Sequence, residues 1–179
     1  EITRGCPFGC RFCQTTKIFG LKMRHRSIIR IKEFVEYYKS VGITDIRFIS
    51  PNAFAYGSDG RTPNLYLLGE LLKTLRKVLK NEGRIFFGTF PSEVRPEFVT
   101  EEVLSIVSRY VDNKNLIIGA QSGSERILEI CNRGHGVKEI YTAVKVAKKF
   151  GFNPHVDFIF GLPYETEKDT TETIKVMND

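Results

Sequence analysis

Short runs of β-branched and aromatic residues alternate with longer helical patterns along this chain. The strand-like runs cover residues 43–50, 84–89, 115–121 and 155–160. Helical patterns between them are long enough to cross back over a sheet, as parallel strand pairing requires. Phe86-Phe87 and Ile117-Ile118 put apolar side chains on both faces of their strands, as expected where helices cover a sheet. The sequence therefore predicts an α/β fold, and its periodicity leaves open whether the sheet is doubly wound or a barrel.

The helical patterns have recognisable ends. Helices are predicted over residues 27–41, 65–81, 97–111, 122–132 and 137–150, and near Lys168. The first carries an apolar stripe expected to face the core, formed by Ile28, Ile31, Phe34, Val35, Tyr38 and Val41. Ile2-Thr3 is predicted to be the remainder of a first strand, and the chain ends inside a helical pattern. We therefore expect one incomplete domain over residues 1–179, as a piece of a longer protein.

Composition limits the class of protein. Hydrophobic residues make up 41% of the chain and charged residues 27%, as in a globular domain with a sizeable core. There is no apolar run of membrane-spanning length and no secretory signal pattern. We therefore expect a cytoplasmic protein with no membrane partner, in a compartment where thiols stay reduced.

The net charge of +6 allows an anionic partner. The densest basic stretch contains Lys17, Lys22, Arg24, Arg26, Arg30 and Lys32. Because only Phe19 adds an aromatic group there, a solvated loop and helix face is favoured over a nucleic-acid site. Binding of RNA remains an alternative, and it would depend strongly on salt concentration.

Three of the four cysteines fall within eight residues, as Cys6, Cys10 and Cys13. Three thiols cannot all pair with one another, so the spacing indicates a metal centre rather than disulfides. A closed zinc site uses four ligands, as does an all-cysteine iron–sulfur site. Three cysteines therefore suggest a cluster with one iron left open, whereas a zinc knuckle or a labile thiol cluster is the alternative. Cys131 is expected to be buried in the core, away from this triplet.

The C-x3-C-x2-C spacing resembles that of the radical S-adenosylmethionine (radical SAM) enzymes. The resemblance implies that Cys6, Cys10 and Cys13 hold a 4Fe–4S cluster and that SAM chelates the fourth iron. It also implies that Phe12 packs near the adenine of SAM. The fold implied is a partial (βα)6 barrel truncated at both ends, with the sixth βα unit beyond residue 179.

Polar residues lie at or just beyond the carboxyl ends of the predicted strands, the edge where α/β proteins place their sites. They are Cys6, Asn52, Ser92, Gln121 and Asp157. Gln121, Arg133 and Asp157 resemble the SAM-contacting set of the oxygen-independent coproporphyrinogen oxidase type, which makes them predicted SAM ligands. Asn52, Ser92 and the helix-opening Ser122 are further candidates.

Two features depart from the family pattern. Residues 50–53 replace the Gly-Gly-Glu that holds the amino group of SAM. No clear match exists for a glutamate after the third strand, where Ser92 and Glu93 are the nearest candidates. The segments around residues 121–125, 132–135 and 157–166 also resemble methylthiotransferases and radical SAM proteins with a cobalamin-binding domain.

The resemblance implies an enzyme that reductively cleaves SAM to a 5′-deoxyadenosyl radical, which abstracts hydrogen from a substrate that the sequence does not identify. An electron donor such as flavodoxin or ferredoxin is implied, and cobalamin would require a domain outside this segment. No catalytic residue is assigned. A tRNA methylthiotransferase-like enzyme and a non-enzymatic metal-binding interaction module are the alternatives.

Overall fold

The computed structural model describes all of residues 1–179. Its six strands pair in twos: β1 with β2 is antiparallel, whereas β3 with β4 and β5 with β6 are parallel. The strands are β1 (Thr3–Arg4), β2 (Arg24–His25), β3 (Asp45–Arg47), β4 (Arg84–Phe86), β5 (Asn115–Gln121) and β6 (Asn153–Phe158). The α/β class and the parallel pairing predicted from the sequence are confirmed.

Backbone hydrogen bonds outside the ladders connect these pairs. The amide of Ile2 donates to the carbonyl of Ile49 at 3.0 Å, which joins the β1 region to the end of β3. The amide of Ile117 donates to Gly88 at 2.9 Å, which joins β5 to the end of β4. Val94 also bridges to β5 beside Ile118. The parallel strands thus follow chain order, and β6 pairs only with β5, so no closed barrel is formed.

Seven α-helices connect or follow the strands. They are α1 (Thr15–Phe19), α2 (Ile28–Ser40), α3 (Leu65–Leu79), α4 (Glu101–Val107), α5 (Glu125–Ile130), α6 (Val137–Lys149) and α7 (Glu167–Asn178). Side chains that accept a hydrogen bond from a first-turn amide fix the starts of four of them: Ser27, Asn64, Thr100 and Thr166. None of the helices has both the length and the apolar character needed to cross a membrane.

Helix α3 contributes more buried side chains to the main core than any other helix. It buries a stripe at helical spacing, which consists of Leu68, Leu71, Leu72, Leu75 and Leu79. Ile85 and Phe87 are fully or almost fully buried in the same cluster. Each leucine removed from water contributes roughly 1.5–3 kcal/mol before entropy is counted.

Helix α2 differs from the prediction. Only Ile31 and Val35 of its predicted stripe are buried, whereas Phe34, Tyr38 and Val41 are exposed. Arg26 and Arg30 lie 5.2 and 5.0 Å from the ring of Phe34, so cation–π contacts cover this aromatic side chain in part.

Several predicted element boundaries are also corrected. The strand predicted over 43–50 ends at Arg47, and beyond it the backbone of Phe48 and Ser50 bonds to the hydroxyl group of Ser92. The helix predicted over 97–111 is a 3-10 turn, Pro96–Phe98, followed by the shorter α4. Strand β2 lies within the basic stretch that was expected to be loop and helix.

Candidate functional site

All three clustered cysteines line one cavity of about 300 Å³. Its wall also contains Phe12 from the cysteine loop, Gln121 from the end of β5, Arg133 from the segment after α5, and Glu93 and Arg95 from the connection after β4. Most of these residues follow a parallel strand, so the cavity lies at the carboxyl edge of the sheet. This is the edge that the sequence predicted for the site.

The cysteine loop is held in place by backbone contacts. Gly5 has a φ of +85°, and a Cβ there would lie 2.2 Å from the carbonyl oxygen of Lys22, so only glycine fits. The amide of Cys13 donates to the carbonyl of Cys10 at 2.9 Å, which closes the turn between them. Asn132 Nδ2 donates to the carbonyl of Phe8 at 2.5 Å. The loop is thereby fixed both internally and against the end of α5.

The three sulfur atoms have different surroundings. Arg133 Nη1 lies 3.6 Å and Arg95 Nη1 3.7 Å from Cys10 Sγ, which is in the most buried of the three cysteines. Cys13 Sγ lies 3.2 Å from Thr15 Oγ1. Burial raises the pKa of the Cys6 thiol, a shift that its contact with the Phe8 backbone and the charge of Arg95 oppose. Positive charge beside sulfur is what a thiolate ligand requires in a buried site.

Arg133 is largely buried beside these cysteines. Its Nη2 donates to the carbonyl of Gly119 at 2.6 Å, and its charge lies 5.9 Å from the ring of Phe12. Its Nε is buried without a hydrogen-bond partner. Burial and the neighbouring Arg95 lower the pKa of Arg133. A buried donor without a partner costs about 1–3 kcal/mol, which an anionic ligand in the cavity would recover.

Gln121 adopts a backbone conformation that is uncommon for a residue with a side chain. Its φ is +73°, at a bulge in the pairing of β5 with β6. Its Nε2 donates to Glu93 Oε2 at 3.0 Å. Left-handed backbone at a non-glycine residue costs of order 1–3 kcal/mol and occurs preferentially at functional sites. Gln121 is part of the cavity wall in this conformation.

Glu93 is the acidic group of the cavity wall, although the sequence showed no clear match for a glutamate after the third strand. Partial burial of its carboxyl group and the nearby Asp157 raise the pKa of Glu93, and Arg133 and Gln121 oppose this shift. A Cβ on Gly119 would lie 2.1 Å from Glu93 Oε2, so this glycine leaves room for the carboxylate. Glu93 lies seven positions after β4 ends at Phe86. Because of this separation, the sequence does not clearly indicate that Glu93 lies near the carboxyl end of the strand.

Asp157 is exposed and does not belong to the cavity wall. In the parallel register it lies opposite Gly119, which puts both residues on the same face of the β5–β6 pair. This face carries the carboxyl group of Glu93, whose pKa responds to Asp157. Gln121, Arg133 and Asp157 therefore lie around one region, with Asp157 at its margin.

The structure does not bring Asn52, Ser92 or Ser122 to the cavity. Asn52 Oδ1 accepts from the amides of Phe54 and Arg95, at 3.3 and 3.4 Å. Ser92 Oγ donates to the carbonyl of Phe48 at 2.5 Å, and the buried Ser122 Oγ accepts from the amide of Ser124 at 3.1 Å. The side chains of these three residues form hydrogen bonds with buried backbone atoms. They therefore do not lie at the cavity, where they were expected from the sequence.

Cys131 is buried, as predicted, and packs with Ile127 and Leu162. Its predicted distance from the cysteine loop is wrong: the carbonyl of Cys131 accepts from the amide of Arg11 at 3.0 Å. The reason is the length of α5, whose six residues rise only about 9 Å before the chain turns back.

No group of three His, Cys, Asp or Glu side chains is placed to hold one metal ion. An iron–sulfur cluster makes a different demand, because each thiolate binds its own iron atom. Three cysteines on one cavity, two guanidinium groups beside one sulfur and an unpaired buried Nε fit such a cluster with an anionic ligand.

The raised pKa of Glu93 gives a testable effect on stability. The pKa of Glu93 is higher in the folded chain than in the unfolded chain, so the protonated carboxyl group stabilises the fold. This stabilisation is complete at pH values below the pKa of the unfolded chain, and it is lost as the pH rises through the pKa of the folded chain. Glu93→Gln is therefore expected to raise the melting temperature of the metal-free chain at pH 7. The gain should shrink below about pH 4. Exposed Glu129→Gln controls for the lost charge, and an equal gain there would contradict this prediction.

The sequence matches a protein family and individual curated proteins. The profile of the Radical SAM superfamily matches residues 1–177. A tRNA-2-methylthio-N(6)-dimethylallyladenosine synthase from a Sulfurihydrogenibium species is 31% identical over 99% of this chain and 39% of its own length.

Two solved structures share the fold. The radical S-adenosylmethionine methyltransferase TsrM from Kitasatospora setae, with cobalamin and a [4Fe-4S] cluster bound, superposes with a TM-score of 0.77 at 15% identity. The match covers 99% of this chain and 33% of TsrM. The cobalamin-dependent S-adenosylmethionine radical enzyme OxsB gives a TM-score of 0.73 at 17% identity, over 100% of this chain and 26% of OxsB.

The chain spans 34% to 39% of the length of three curated relatives that it matches. The profile match, by contrast, covers almost the whole chain. The chain therefore belongs to the radical SAM superfamily, whose cofactors are a 4Fe–4S cluster and S-adenosylmethionine.

Proposed function

We propose that residues 1–179 are the incomplete core domain of a radical SAM enzyme, a partial (βα)6 barrel in which Cys6, Cys10 and Cys13 hold the cluster. The observation that carries this proposal is that the three cysteines face one cavity together with Arg133. All four cysteines are free thiols, which suits a reducing compartment such as the cytoplasm.

The residues around the cavity match the chemical groups of SAM. Arg133 can pair with the carboxylate of SAM, and Phe12 offers an aromatic face beside the cysteines. Glu93 supplies a carboxylate for the ammonium group, a role for which the sequence offered no residue. Gln121 positions Glu93 through its amide, and Asp157 can accept from ribose hydroxyls at the margin of the cavity.

When bound, the cluster and SAM supply one-electron chemistry: reductive cleavage of SAM gives methionine and a 5′-deoxyadenosyl radical, which abstracts hydrogen from the substrate. The side chains of this chain bind and orient SAM and limit the access of water to the cavity. An electron donor such as flavodoxin or ferredoxin is part of the proposal.

A tRNA methylthiotransferase-like activity is the second candidate. It is favoured by the 31% identity to the Sulfurihydrogenibium synthase over nearly the whole chain. Cobalamin binding through a domain outside this segment stays a prediction, because the similarity to TsrM and OxsB concerns the fold alone.

Anaerobic reconstitution tests the proposed function. We expect about four irons per chain, broad visible absorption and, with a reductant, cleavage of SAM to methionine and 5′-deoxyadenosine. Stoichiometric zinc with no uptake of iron would instead support the metal-binding module. Transfer of labelled sulfur and methyl groups to RNA would identify the second candidate, and salt-dependent RNA binding without SAM cleavage would identify an RNA-binding protein.

A further inference from the structure

Arg95 is a second guanidinium group at Cys10, and neither the sequence patterns nor the proposed contacts with SAM give it a role. Its Nη1 lies 3.7 Å from Cys10 Sγ, at nearly the distance of Arg133 Nη1. Only 5% of Arg95 is exposed. A buried arginine that contacts a sulfur ligand is well placed to act on the metal centre.

Three contacts fix Arg95, two through its side chain and one through its backbone. Its guanidinium group lies 3.5 Å from the ring centroid of Phe8, which belongs to the cysteine loop. Its Nε donates to Glu97 Oε1 at 2.5 Å. Its backbone amide donates to Asn52 Oδ1 at 3.4 Å. The 3-10 turn that carries Glu97 thus presents Arg95 to the loop in one orientation.

Glu97 is in turn held by His135, whose side chain is fully buried. His135 Nδ1 lies 3.3 Å from Glu97 Oε2, and His135 Nε2 lies 3.1 Å from the carbonyl oxygen of Ala120. Both ring nitrogens of His135 thus lie beside oxygen atoms of neighbouring residues. Although burial acts in the opposite direction, His135 and Arg95 lower the pKa of Glu97 to about 2.

The charges are distributed unevenly around the three cysteines. Arg95 and Arg133 both contact Cys10, whereas the side-chain contact of Cys13 is the neutral hydroxyl of Thr15. Reduction adds negative charge to an iron–sulfur cluster, and hydrogen bonds to its sulfurs together with nearby charge set its reduction potential. Burial strengthens such an interaction, because the local dielectric constant is low.

We propose that Arg95 is a positioning residue that fixes the Cys10 side of the cluster and whose positive charge favours the reduced state. Phe8 and the Glu97–His135 pair hold the charge in place. This inference rests on the proposed function, because it requires a cluster at the three cysteines.

The test is the midpoint potential of the reconstituted protein, followed by EPR during a redox titration. Arg95→Gln is expected to retain the iron and sulfide content of the wild type and to shift the potential to a more negative value. Arg95→Lys keeps the charge but cannot stack as a planar group, so its potential should lie between the two. Exposed Arg109→Gln removes one surface charge and should leave the potential unchanged.

An unchanged potential in Arg95→Gln with full iron content would overturn the inference, as would an equal shift in Arg95→Gln and Arg109→Gln. If Arg95→Gln does not fold, the double variant Arg95→Gln/Glu97→Gln replaces the ion pair with two amides and should show the negative shift. Lack of iron in the wild type would contradict the proposed function itself, so the two failures are distinguishable.

Discussion

Replacing Cys10 by alanine is expected to reduce iron incorporation from about four irons per chain to background, because only two of the three proposed thiolate ligands would remain to hold the cluster. The change also removes the sulfur atom that both Arg95 and Arg133 contact. Iron and sulfide assays after anaerobic reconstitution measure the effect, and thermal unfolding of the metal-free chain checks that the variant is folded.

Cys131→Ala is the matched control, because Cys131 is also a buried free cysteine and its backbone borders the same loop. We expect it to keep its iron and to lose only packing with Ile127 and Leu162. Equal loss of iron in both variants would mean that Cys131 is a fourth ligand, which closes the site to SAM. Full iron content in Cys10→Ala would contradict the assignment of the cluster ligands.

Arg133→Ala is expected to weaken SAM binding roughly 10- to 150-fold, the loss that corresponds to a charged hydrogen bond of about 1.5–3 kcal/mol. The reason is that Arg133 is largely buried, lies beside the cysteines and has a buried Nε without a protein partner. Equilibrium dialysis of SAM against the reconstituted variant measures the affinity, and its iron content shows whether the cluster is intact.

Arg133→Lys provides the comparison. Lysine keeps the charge but lacks the planar fork that pairs with a carboxylate through two hydrogen bonds, so it should recover only part of the affinity. An alanine variant that binds SAM as tightly as the wild type would show that Arg133 serves the structure alone, through its bond to Gly119.

The grouping of the three cysteines could be predicted because it is local: C-x3-C-x2-C lies within one loop, and the structure places all three at one cavity. Their role as cluster ligands stays a prediction. The bounds of β5 were also correct, since its apolar residues are covered on both sides. Gln121 and Arg133 were predicted from family resemblance, and the structure places both at the cavity. Their roles toward SAM remain predictions.

Other features depend on contacts that sequence patterns do not show. Arg95 lies just before the 3-10 turn and contacts a cysteine 85 positions away, a distance in sequence that no local pattern spans. Cys131 returns to the cysteine loop because α5 is short and Asn132 adopts a φ of +56°. Ser92 and Ser122 resemble ligand residues in sequence, yet their hydroxyl groups stabilise buried backbone.

The strand pairs of this fold are joined outside their regular ladders, by backbone bonds such as Ile2 to Ile49 and Ile117 to Gly88. Each such bond contributes only about 0.5–1.5 kcal/mol, so a single bond at a junction adds little to the stability of the sheet. The cysteine loop does not depend on these junctions, because its own hydrogen bonds lie within the loop and at the end of α5.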